Sequence, residues 1–305
     1  MEATRRDTEQ MASVARAGML ILAAASAACS LNKPVAAIPP SSPSQALVAD
    51  MKAFEQTLGV EATNNFLRYS AIQRAVHRCY FTGKLELPRS YRDLHLVQGS
   101  DAGCSVDIER YDVFFYPAEA VATGASPVTP ALADAPLERL LVVVPHEDFH
   151  NQAETRGSSP EEAEAAATLI GFLTASEFAK DRYGEGSQAF QRLDREARLF
   201  LRKASIVNIY YDRVSALYSS FRSGAITRQT ALARKEELFL ALERECAAIV
   251  PDPVSFNKCP AAMNNAGLAF DNTYTRQYPA MFDRYERSGE DTRATILDLR
   301  RLLAS

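Results

Sequence analysis

The run His146-Glu147-Asp148-Phe149-His150 decides how this chain reads, because it is an H-E-x-x-H motif in a protein with only four histidines. On a helix, His146 and His150 stand one turn apart on a common face, so both imidazoles can reach one cation. Glu147 then lies beside the cation's open position, within reach of a water proton there. The bland alternative is an exposed helix with two solvated histidines. Pro145 immediately precedes the motif. A proline within a helix loses one backbone hydrogen bond and crowds the carbonyl four residues back, so the helix either starts at Pro145 or bends there. Val142-Val143-Val144, just ahead, reads either as a short strand or as the helix entering.

A catalytic zinc site takes a third protein ligand. Downstream, Ser159-Pro160-Glu161-Glu162-Ala163-Glu164 opens a helix, with Ser159 as N-cap and Pro160 in the first helical position. Glu161, Glu164 and Thr168 fall along one stripe of it. Glu164 is the expected ligand. The alanines at 165 to 167 let two helices approach closely, and Thr168 can hydrogen-bond a ligating histidine from behind. Glu161 and Glu162 compete for that role, their ordinary one being favourable charge in a helix first turn. Zn2+ on His146, His150 and Glu164, with Glu147 as general base, makes a hydrolytic centre. Tyr274 is the candidate donor to an oxyanion, with Tyr218 and Tyr211 behind it; each is more readily a core tyrosine. Asn264 and Asn265 either hold substrate backbone or cap a helix and satisfy a turn.

The chain has 305 residues, 47% hydrophobic and 24% charged, with a net charge of −4. That suits a globular protein with a sizeable core and gives no electrostatic case for nucleic acid or an anionic membrane surface. No run of about eighteen apolar residues suggests a spanning helix. Residues 1–29 read as an export signal: Arg5, Arg6 and Arg16 precede an apolar run at 17–25, then Ser26-Ala27-Ala28-Cys29. The cysteine after small residues resembles a bacterial lipobox, with Ser26 where leucine is usual, so Cys29 is the expected lipidation site. Plain cleavage after an Ala-x-Ala site is the alternative. Ser30 after that cysteine favours the outer membrane of the cell envelope, with the domain facing the periplasm. Residues 30–45, rich in Pro and Ser, read as a tether, and 46–305 as one domain. Four cysteines remain after the signal, and sequence proximity pairs Cys79 with Cys104 and Cys246 with Cys259.

The fold expected is mainly α (α+β), with a small β element before the metal helix. Helical patterning covers Ala46 to Gly83 with a break at Gly59. Val106, Ile108, Tyr111, Val113 and Phe115 suggest a sheet or hairpin, and 122–136 a loop. Apolar residues from Leu193 to Phe221 recur every three or four positions, marking one long amphipathic helix. Thr227 is placed to cap the next helix, and Asp291 or Thr292 the last.

The motif followed by a helical glutamate looks like the gluzincin class of metallopeptidases. More narrowly, most of the mature chain resembles a bacterial family of zinc aminopeptidases, many of them lipoproteins. The matching stretches are residues 90–94, 102–104, 146–152, 164–168, 215–218, 264–268 with Tyr274, and 300–303. The family pattern has an apolar residue where Asp148 stands and an asparagine where Ala163 stands. The resemblance implies a peptide substrate and an exopeptidase that must meet a free α-ammonium, for which Glu161 is the candidate carboxylate. A non-catalytic envelope lipoprotein with a degenerate metal site is the competing expectation.

Overall fold

Helix α4 (Pro160–Tyr183) runs through the middle of the molecule because, beyond its first turn, residues 164–175 are buried on every side. A helix apolar all round must be covered all round. In this computed structural model, which describes residues 43–70, 76–121, 124–250, 259–260 and 262–304, the cover comes chiefly from the helices that follow. They are α1 (Pro43–Thr57), α3 (Leu137–Phe149), α5 (Gln188–Arg222), α7 (Asn265–Thr275), α8 (Tyr278–Arg287) and α9 (Thr292–Leu303). Residues 1–29 with Cys29, and the tether up to residue 42, lie outside the described residues. The tether expected to reach Gln45 ends earlier, since α1 already begins at Pro43.

Helix α3 resolves the conflict at Pro145. It starts at Leu137, so the proline lies inside it, and Val142 to Val144 are buried helix rather than strand. The fit against α4 is tight: a Cβ on Gly171 would stand 2.8 Å from the Val142 carbonyl oxygen. Only glycine allows that approach without a shift of backbone. The expected loop contains one helical turn, α2 (Pro130–Ala133), capped by Thr129. Helix α5 presents the predicted stripe, with Leu193, Ala197, Phe200, Ala204, Val207, Val214 and Leu217 buried. Thr227 caps α6 (Arg228–Ala247) and Asp291 caps α9.

Three antiparallel strands form a sheet in the order β2 (His95–Gln98), β1 (Val76–Gly83), β3 (Tyr111–Ala118). The helical pattern expected as far as Gly83 therefore fails beyond Thr57. Val76, Tyr80, Phe81 and Thr82 are β-branched or aromatic, and pairing with β3 (Tyr80 opposite Phe114) overrides the helical spacing. Tyr80 and Phe114 pack on Phe270 of α7, with ring centroids 5.4 and 4.7 Å away. Ile108 is outside the strand and 67% exposed. In β3 the buried positions are Asp112, Phe114 and Ala118, one residue out of phase with the expected Val113 and Phe115. Disulfides join Cys79 to Cys104 and Cys246 to Cys259.

Candidate metal centre

Three donor atoms converge where α3 ends and α4 begins. The Nε2 atoms of His146 and His150 are 3.2 Å apart, and Glu164 Oε2 lies 3.4 Å from the first and 3.1 Å from the second. Donors in a tetrahedral shell at about 2.0–2.1 Å from a metal stand about 3.3 Å from one another. The donor set and its spacing therefore fit a divalent cation, and the group could hold one. Phe149 is the last residue of α3 and His150 caps it in helical conformation, so the one-turn spacing of the two imidazoles survives the helix end.

The electrostatics match a cation-binding carboxylate. Burial alone would raise the Glu164 carboxyl, but the charge of His150 and hydrogen bonds from both imidazoles outweigh it and hold the group well below the usual carboxylate range. Burial opposes a proton on His150 as well, yet the Glu164 charge and hydrogen bond push its pKa up. Glu147 lines the same cavity. Burial raises its carboxyl, with His146 and His150 pulling the other way.

The three glutamates at the head of α4 divide their tasks. Glu162 closes a capping box, its carboxylate taking the Ser159 N–H while its own N–H donates to Ser159 Oγ. Glu161 is 3% exposed and accepts from Arg89 Nε at 2.7 Å. Glu164 alone reaches the histidines. Glu161, the candidate for an α-ammonium, pairs with Arg89 through Oε1 and is not among the residues lining the cavity.

Of the alternatives open for the other candidates, the structure shows the structural ones. Asn264 caps α7, accepting from Gly267 N–H and donating to the Val113 carbonyl. Asn265 is fully buried, donates to the carbonyls of Gly83 and Lys84, and accepts from Tyr218. Both asparagines fasten α7 to the sheet and neither lines the cavity over the triad. Tyr211 donates to the Pro88 carbonyl, so it and Tyr218 are committed elsewhere. Tyr274 does face the cavity, its ring stacked on His146 with centroids 6.3 Å apart. Thr168 makes no hydrogen bond to a histidine; its buried hydroxyl finds no partner among the described residues.

Tyr91 takes the supporting place instead. Its hydroxyl donates to Glu164 Oε1 at 2.8 Å, leaving Oε2 turned to the imidazoles. Burial, and after it the Glu164 charge, push this hydroxyl well up, so it stays a donor. Tyr91 opens a short 3-10 turn, Tyr91–Asp93, capped by Ser90, and its N–H donates to Thr273 Oγ1 on α7. The sequence does signal that turn, as Ser90 with Asp93 is a capping-box pattern. Nothing in it signals the contact with Glu164. Burial pushes the hydroxyl of Tyr116, another cavity residue, up to about 12 against the pull of Arg139.

Asp148 is explained by what lies behind the motif. It is fully buried, and Lys52 of α1, Thr63 and Asn65 all donate to its carboxylate. Glu55 is buried beside it. Burial first, and then the Asp148 charge, push the Glu55 carboxyl well up.

His146, His150 and Glu164 thus form a group that could hold a metal ion, with Glu147 in the same cavity. The family model described as "Putative aminopeptidase" matches residues 107–305, and the chain belongs to that family. The match takes in the H-E-x-x-H run and Glu164 but begins after Tyr91. No curated protein and no solved structure matches the chain.

Proposed function

We propose that this protein hydrolyses peptide bonds as a zinc-dependent aminopeptidase. The observation that carries the proposal is the 3.1–3.4 Å triangle of His146, His150 and Glu164 donors, with Glu147 in the same cavity. When bound there, zinc supplies polarisation of the scissile carbonyl and brings a water's pKa to roughly 7. Glu147 accepts the proton of the attacking water and passes it to the leaving amine; burial makes its carboxylate the stronger base. Tyr274 donates to the developing oxyanion. Its buried hydroxyl is held well above the ordinary tyrosine range, so it carries its proton at neutral pH. Tyr91 keeps Glu164 aimed at the imidazoles. The sequence of residues 1–29 extends the proposal to an exported enzyme, lipid-anchored at Cys29 and acting on peptides outside the cytoplasm.

Metal analysis of the purified domain, with hydrolysis of aminoacyl reporters, tests the catalytic part. Zinc bound at one per chain is expected, and Glu147→Gln should retain it while losing activity by about 10²–10⁴-fold. A metal-free, inert protein would instead mark a binding module.

A further inference from the structure

Glu147 and Glu164 are the only carboxylates among the described residues that line the cavity, and both are committed to the reaction centre. Two guanidiniums share that lining. Arg78 lies half-buried on β1, opposite Tyr116 of β3, and Arg92 is exposed on the turn that carries Tyr91. Arg78 donates to the Tyr80 hydroxyl at 3.3 Å. Among the described residues neither arginine has a carboxylate at ion-pair distance, whereas Arg89, Arg139, Arg276 and Arg300 each do.

Both charges bear on the centre itself. The hydroxyls of Tyr80, Tyr274 and Tyr91 interact with Arg78, and two of these tyrosines touch the triad. His150 and Tyr91 feel Arg92. With Glu147 and Glu164 balancing a divalent cation, the guanidiniums leave the cavity with two uncompensated positive charges. Such a wall matches the planar, two-oxygen geometry of a carboxylate.

We infer that Arg78 and Arg92 form a carboxylate-binding subsite, so that the substrates are short peptides carrying a negative group within one or two residues of the scissile bond. This deepens the peptidase proposal and rests on it for the word substrate. The carboxylate belongs either to the free C-terminus of the peptide or to an acidic side chain.

Calorimetry on the zinc-loaded Glu147→Gln protein separates binding from turnover. The probes are Ala-Ala-Ala, its C-terminal amide, and Ala-Glu-Ala amide. At least one carboxylate-bearing peptide is expected to bind about 10- to 100-fold more tightly than Ala-Ala-Ala amide, the range of a charge-assisted hydrogen bond. Which one does so identifies the source of the carboxylate. Arg78→Gln and Arg92→Gln, each on the same background, should remove most of that difference, the carboxylate-bearing peptide losing far more affinity than the amide. The peptide comparison needs no wall variant, so a misfolded Arg78→Gln would not spoil it. Equal affinities for all three peptides, or a difference that survives both substitutions, would overturn the subsite even if peptides are cleaved. Carboxylate-dependent binding by a protein that cleaves no peptide would keep the subsite and remove the peptidase.

Discussion

Tyr91 selects which oxygen of Glu164 faces the histidines, and it does so with one hydroxyl. Tyr91→Phe keeps the ring that packs against Phe270 and Tyr274 and deletes only that donor. Zinc affinity, measured by chelator competition, should fall about 10- to 100-fold with the fold intact. An unchanged affinity would mean that something else orients the carboxylate. His146, Glu147 and His150 were legible in the sequence because their relation is local, one turn of one helix. Glu164 was legible less directly, by its place after a recognisable cap. Tyr91 and Arg78 were not, because 73 residues separate Tyr91 from the carboxylate it holds and no spacing rule spans a tertiary contact. Asn264 and Asn265 stayed open for a different reason: an asparagine that caps a helix and one that binds a ligand look alike in a sequence.

At the scale of elements, an ion pair ties the H-E-x-x-H helix to the end of the sheet. Arg139 of α3 holds Glu119, which follows β3, through Nε at 3.2 Å and Nη2 at 3.0 Å. Burial alone would raise the Glu119 carboxyl, but Arg139 overrides it and the group sits below its ordinary value. A depressed carboxyl contributes stability that is present above its unfolded pKa of about 4.3 and lost as pH falls through the folded value. Arg139→Met should therefore cost about 2–3 kcal/mol at pH 7, somewhat below the range for a fully buried pair. That cost should shrink as pH drops below about 4. Urea unfolding of both proteins at pH 7 and in acid reads the difference directly; a gap that does not narrow would show that the pair is not its source. The long period of α5 made that helix plain in advance. Strand β1 was hidden because His77 and Arg78 interrupt its apolar residues, and only the register with β3 shows which face is inside.

At the scale of the whole molecule, the four cysteines among the described residues are all paired, as an oxidising compartment allows. That supports the export proposal, whose sharper half is lipidation. Expressed with its leader, the protein should partition into detergent and carry added acyl mass at Cys29; Cys29→Ser should move it to the aqueous phase. A native protein already found there, with no added mass, would rule the anchor out. Behind the H-E-x-x-H turn, meanwhile, Lys52 and Asp148 meet out of reach of water, although 96 positions separate them in the chain. Without Lys52, Asp148 would be an ion in the interior with no cation beside it, which folding tolerates poorly. Shortening Lys52 to Ala would strand the Asp148 charge on the Thr63 hydroxyl and the Asn65 amide alone, so a change at one end of this contact calls for a change at the other.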